Sequence, residues 1–134
     1  MITKQNRKYI ESEIVNYKKT KLEYQRLENE ILYGQNNIDE NIGGGKSNIP
    51  ISTVENRVIK RIESKQLQRL ESVINAIEGV YMSLDSEKQE FLRLCFWERR
   101  FSMNGLANKL CISRATAFRW KYEIIDSIAV ELGF

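Results

Sequence analysis

Between Ser113 and Tyr122 the sequence reads SRATAFRWKY. Its side chains suit one kind of chemistry, donation of hydrogen bonds to anions and to the acceptor edges of planar bases. The guanidinium forks of Arg114 and Arg119 can each bond two acceptors at once. Ser113 and Thr116 add hydroxyls beside a helix start, where backbone N–H groups and the helix dipole also favour phosphate. Arg99, Arg100, Lys109 and Lys121 surround them. From Arg99 to Tyr122 these six basic residues have no Asp or Glu among them, although the whole chain carries only +3. A solvated helix face usually mixes signs, whereas a one-sign stretch is what a phosphate-binding surface needs.

Other chemistries find little support. The chain has no histidine, which removes the commonest general base and metal ligand. There is no paired metal-ligand spacing and no nucleophile elbow, so neither a cofactor, a metal nor an enzymatic activity is expected. Cys95 sits among Leu94, Phe96 and Trp97 and reads as a small buried hydrophobe. With Cys111 it fits a reduced, cytosolic thiol state better than a disulfide framework. Gly45-Lys46-Ser47 imitates the end of a phosphate-binding loop. That motif needs a glycine at position 40, which is Glu, and a following helix, where Pro50 stands instead. A signal peptide and a membrane span are not expected.

The elements that must hold these residues are helices, and no strand pattern appears. Ile10, Ile14, Tyr17, Tyr24, Leu27 and Ile31 recur at helical spacing and predict one amphipathic helix from about Gln5 to Tyr33. Gly34 to Ser52 breaks the pattern with glycines, asparagines and the only proline, and predicts a long loop. A second stripe of Val58, Ile62, Leu70, Val73, Ile77 and Val80 predicts a helix from about Thr53 to Met82. An intrachain αα-hairpin and a homodimer interface satisfy these two stripes equally well. Asp85, Ser102 and Ser113 then read as N-caps of three shorter helices. The expected fold is all-α. It has a long-helix domain over 1–82, with the Gly/Asn-rich loop at 34–52, and a helix-turn-helix domain over 83–134.

Spacing carries the helix-turn-helix expectation. Ala107 supplies the small residue where two helices cross, flanked by Leu106 and Leu110. Cys111-Ile112-Ser113 makes the turn. Ala117 and Trp120 anchor the next helix inward. Arg114, Ala115, Phe118, Arg119, Lys121 and Tyr122 are left facing outward, with Phe118 also able to cover the core. Major-groove readers put the N-terminal half of such a helix on base edges. Arg114 and Arg119 are the candidates for base contact, Ser113 and Thr116 for phosphate or base, and Arg99, Arg100, Lys109 and Lys121 for the DNA backbone. Two local costs are visible. A left-handed backbone at Cys111 would cost about 1 kcal/mol, so the turn is either marginal or avoids positive φ. Gly105 inside a helix costs a similar amount, about 1 kcal/mol.

The segment SLDSEKQEFLRLCFWERRFSMNGLANKLCISRATAFRW resembles region 4 of bacterial sigma factors, which binds promoter DNA. Over nearly the whole chain, TKQNRKYIESEI, NNIDENIGGGKSNIP and ISRATAFRWKYEIIDSIAVELG resemble the RinA/ArpU family of phage transcriptional regulators. The resemblance implies an activator of phage late genes, the packaging and structural operon, acting in the bacterial cytoplasm on double-stranded promoter DNA, with host RNA polymerase as a further partner. A small-terminase-like packaging protein is the alternative, although those usually place the DNA-binding domain first. A helical adaptor that binds only protein is the third reading; it leaves the basic stretch unexplained.

Overall fold

The computed structural model describes residues 2–34 and 64–134, and these are helical with no strand among them. Helix α1 spans Lys4–Val15 and α2 spans Tyr17–Asn29, running into a wide π turn at Glu30–Gly34. Helix α3 spans Lys65–Ser83. Helix α4, Ser86–Leu92, continues into a second π turn, Arg93–Glu98. Helices α5, Met103–Leu110, and α6, Arg114–Glu131, complete the chain. The expected loop at 34–52, including Gly45-Lys46-Ser47, and the stripe residues Val58 and Ile62 lie outside the described residues, save Gly34.

Capping explains several of the boundaries. The side chains of Thr3, Asp85, Ser102 and Ser113 accept hydrogen bonds from the N–H groups of Asn6, Lys88, Gly105 and Thr116, each three residues on, at 2.9–3.0 Å. Each cap satisfies a backbone donor that the first helical turn leaves without a partner. Gly105 is therefore a first-turn residue of α5, where its N–H meets the cap.

The predicted first helix is two helices. Asn16 leaves helical geometry at φ −90° and ψ 11°, and asparagine is a residue whose side chain competes for backbone hydrogen bonds. The break divides the apolar stripe. One compact unit joins Met1–Lys18 to Ser72–Phe134; the other is Lys19–Glu71. The boundary drawn at residue 82 from periodicity thus differs from the structural division: α1 and most of α3 pack with the C-terminal helices.

In the first unit a single core gathers Ile10 and Ile14 from α1, Val73, Ala76, Ile77 and Val80 from α3, and Phe91, Leu92, Leu94 and Phe96 around the second π turn. It continues into Leu106 and Ala107 of α5 and six residues of α6. The π turn widens the backbone, so that Arg99 N–H reaches the Leu94 carbonyl at 3.0 Å. That geometry lets Phe91, Leu92, Leu94 and Phe96 all turn inward within one short segment. Helix α6 buries Ala117 and Trp120, as the spacing predicts, together with Ile124, Ile125, Ile128 and Ala129. The wider apolar face is matched by α1, which packs along α6.

Polar contacts fix α1 in place. Trp97 Nε1 donates to the Ile14 carbonyl at 3.0 Å, and the Tyr17 ring stacks on Trp97. Arg7 grips Asp126 with two hydrogen bonds of 3.0 and 2.9 Å, and Lys121 pairs with Glu11 at 3.2 Å. In the second unit Leu67 and Leu70 are buried, α2 has no fully buried residue, and the Tyr24 hydroxyl donates to Glu71 at 3.4 Å. Arg26 lies between Glu23 and Glu30 and holds the Glu23 carboxyl below its ordinary range, chiefly by hydrogen bonding.

Candidate nucleic-acid interface

The candidate surface begins at the junction of α5 and α6. Helix α5 ends with Cys111 in the left-handed region at φ 60° and ψ 41°. The Ile112 N–H reaches back to the Ala107 carbonyl at 2.9 Å, and the Cys111 N–H reaches Asn108 at 3.3 Å. This is a Schellman end, with cysteine where glycine is usual. The turn therefore adopts positive φ rather than avoiding it. Ser113 then caps α6, and its hydroxyl also donates to Thr116 Oγ1 at 2.8 Å. Buried Ala107 and Ala117, one on each helix, let α5 and α6 approach closely.

The N-terminal half of α6 leaves Ser113, Arg114, Ala115 and Arg119 exposed and Thr116 and Phe118 half-buried. The Arg114 guanidinium lies 4.8 Å from the centre of the Phe118 ring, and Phe118 stacks with Tyr122 at 6.4 Å. Positions 114, 118, 122 and 126 follow one another at four-residue spacing along one ridge of the helix. Arg7 closes the ridge. It sits 5.0 Å from the Tyr122 ring while gripping Asp126, and the Asp126 hydrogen bonds raise its pKa above the ordinary arginine value. Lys109, from α5, lies over the Phe101 ring at 5.7 Å.

Two carboxylates that flank the acid-free stretch in the sequence pair with it locally. Arg100 pairs with Glu98 at 3.0 Å, and Arg119 approaches Glu123 at 4.0 Å. Lys121 is the clear departure from the outward set. It turns to Glu11 with its side chain only 18% exposed, because α1 covers that side of α6. Arg99, Lys109 and Arg114 are exposed and make no ion pair with a described residue. Arg99 adopts left-handed geometry at φ 54° where the second π turn ends. It and Cys111 are the only described non-glycine residues with positive φ.

The ridge thus groups Arg114, Phe118 and Tyr122 with Arg7 and Asp126, and Arg119 and Ala115 lie on the flanking surface. Arg7 and Asp126 escaped sequence reading. They are 119 residues apart, and no local signal links them. Among the described residues there is no cluster suited to hold a metal, and no helix is long and apolar enough to cross a membrane.

A family model described as a protein of unknown function, DUF722, matches residues 7–130. The chain belongs to that family. The DUF722 match opens at Arg7 and takes in the α5–α6 junction, so it spans both ends of the Arg7–Asp126 clamp. No curated protein and no solved structure matches the chain.

Proposed function

We propose that this DUF722 chain is a sequence-specific, double-stranded DNA-binding protein, with α5 and α6 as its helix-turn-helix and α6 as its recognition helix. The observation that carries the reading is the capped N-terminal half of α6. It exposes two arginines, Arg114 and Arg119, immediately after a tight helix–helix turn. A helix presented in this way enters the major groove with its first turns on base edges. Arg114 and Arg119 would reach guanine acceptors. Ser113, Thr116, Arg99 and Lys109 would hold phosphates and set the register. Arg100, beside Glu98, is a weaker backbone contact. Lys121, turned to Glu11, leaves the contact set and becomes a structural residue.

The resemblance to the RinA/ArpU regulators gives the biological form of the proposal: activation of phage late genes from promoter DNA, with host RNA polymerase as partner. With Arg114 and Arg119 on base edges and Lys121 turned to Glu11, Arg99, Lys109 and Arg100 are the cations left for phosphate contact. If these neutralise about three phosphates, log affinity should fall with log salt at a slope near −2.7, at roughly 0.9 per phosphate. Fluorescence anisotropy with a labelled duplex across a salt series reads that slope. A flat response would remove the DNA-binding reading and leave a protein-binding helical adaptor.

A further inference from the structure

The geometry points to Arg114 and Phe118 acting as one reading unit for two successive base pairs, a guanine and the neighbouring thymine. This inference rests on the DNA-binding reading and adds the bases that the surface selects. Arg114 is exposed in the first turn of α6, and its guanidinium lies over the Phe118 ring at 4.8 Å. This cation–π contact restrains a long, flexible side chain before any partner arrives, which reduces the ordering cost of binding. Phe118 is itself braced by Tyr122, and Tyr122 by Arg7, which is held by Asp126. The ridge is thus anchored at its far end on α1 and left open at Arg114.

A guanidinium that makes two in-plane bonds to guanine O6 and N7 lies in the layer of that base pair. A ring that the guanidinium lies over, as Arg114 lies over Phe118, then reaches the adjacent layer. The group that a major-groove base edge offers to an apolar ring is the thymine 5-methyl. Cytosine offers an amino donor at that edge and adenine an amino donor and N7, which Phe118 cannot satisfy. Arg114 would therefore set the guanine directly, and Phe118 would do two things: hold Arg114 in position and take the neighbouring methyl. Arg119, which lies near Glu123 and has no ring partner among the described residues, makes no such pair.

The test uses the full chain and duplexes that it enriches from a randomised library. Each enriched duplex is resynthesised with deoxyuridine for single thymines, which removes only the methyl, and with 7-deazaguanine for single guanines, which removes only N7. One adjacent guanine–thymine pair should be sensitive to both changes. Loss of the methyl should weaken binding about fourfold, the value of one buried methyl-sized group. Phe118→Ala should bind the thymine and deoxyuridine duplexes equally, whereas Phe118→Leu should keep the methyl preference and lose discrimination at the guanine. Arg114→Ala should lose the 7-deazaguanine effect alone. Thermal melting shows whether Phe118→Ala folds. If it does not, the deoxyuridine scan on the unaltered chain and the Phe118→Leu comparison decide. Salt-dependent binding to enriched duplexes that are indifferent to deoxyuridine everywhere would overturn the paired reading and leave DNA binding standing. Methyl sensitivity that survives in a folded Phe118→Ala would overturn it too. Failure to enrich any duplex, with a flat salt response, would overturn both.

Discussion

At the scale of single residues, the two basic positions in Arg119-Trp120-Lys121 have opposite fates. Arg119 is exposed and only loosely near Glu123, while Lys121 is mostly covered and paired with Glu11. Arg119→Ala should cost about 1–3 kcal/mol on a specific duplex and much less on random DNA. Lys121→Ala should leave DNA affinity unchanged and cost at most about 1 kcal/mol of folding stability, because the pair is partly solvated. Binding titrations and urea denaturation of both variants separate the two roles. The cysteines diverge in the same way. Cys111 is exposed, whereas burial pushes the Cys95 thiol up to about 11. Iodoacetamide at mild alkaline pH should label Cys111 first, as read by mass spectrometry of peptides. The raised pKa has a consequence for stability. Below about pH 9 both native and unfolded chains keep the Cys95 proton, so it adds no pH dependence. Between the ordinary value of 9.0 and about 11 the unfolded chain releases that proton and the native chain keeps it. Stability falls through that window, by up to about 1.4 kcal/mol per pH unit from this group. Cys95→Ala should remove that share of the alkaline loss.

At the scale of elements, the α5–α6 turn combines a complete set of hydrogen bonds with an ill-suited residue. The Schellman bonds from Cys111 and Ile112 and the Ser113 cap serve both helix ends. Cysteine nevertheless pays for left-handed geometry. Cys111→Gly should stabilise the chain by about 0.5–1 kcal/mol, the relief of the Cβ clash less the added freedom of the unfolded chain. Thermal melting measures this, and a destabilised variant would mean that the Cys111 side chain has contacts worth more than the strain. Each of the predicted N-caps, Asp85, Ser102 and Ser113, was legible in the sequence, because capping is a local competition among backbone groups. The π turn at Arg93–Glu98 was not. Nothing in RLCFWE distinguishes it from an ordinary apolar helix, and the need to turn Leu94 and Phe96 inward together with Phe91 and Leu92 arises only in the assembled core.

At the scale of the whole molecule, the C-terminal helices are completed by α1. Ile10 and Ile14 are fully buried in the same core as Phe96, Ile124 and Ile128, and Trp97, Arg7 and Lys121 tie the helices by polar contacts. Ile14→Ala should therefore cost about 2–5 kcal/mol. It should also raise hydrogen exchange in α6, far along the sequence, as much as in α1. Loss of protection confined to α1 would mean that the C-terminal helices stand without it. Periodicity shows that a face is buried and not what buries it, so it did not reveal that Ile10 and Ile14 meet the C-terminal helices as well as α3.

The sequence by itself determined the all-helical class, the three C-terminal caps, the turn at Cys111–Ser113, the inward residues Ala107, Ala117 and Trp120, and the exposure of Arg114 and Arg119. Each of these depends on residues within a turn or two of one another, where propensity, capping and helical period act directly. Only the tertiary structure decided that α1 joins the C-terminal core. It also decided that Lys121 faces Glu11 and that Arg7 closes the ridge of Arg114, Phe118 and Tyr122. Those facts depend on charges and apolar faces brought together across most of the chain, and periodicity and charge counting hold no information about such distances.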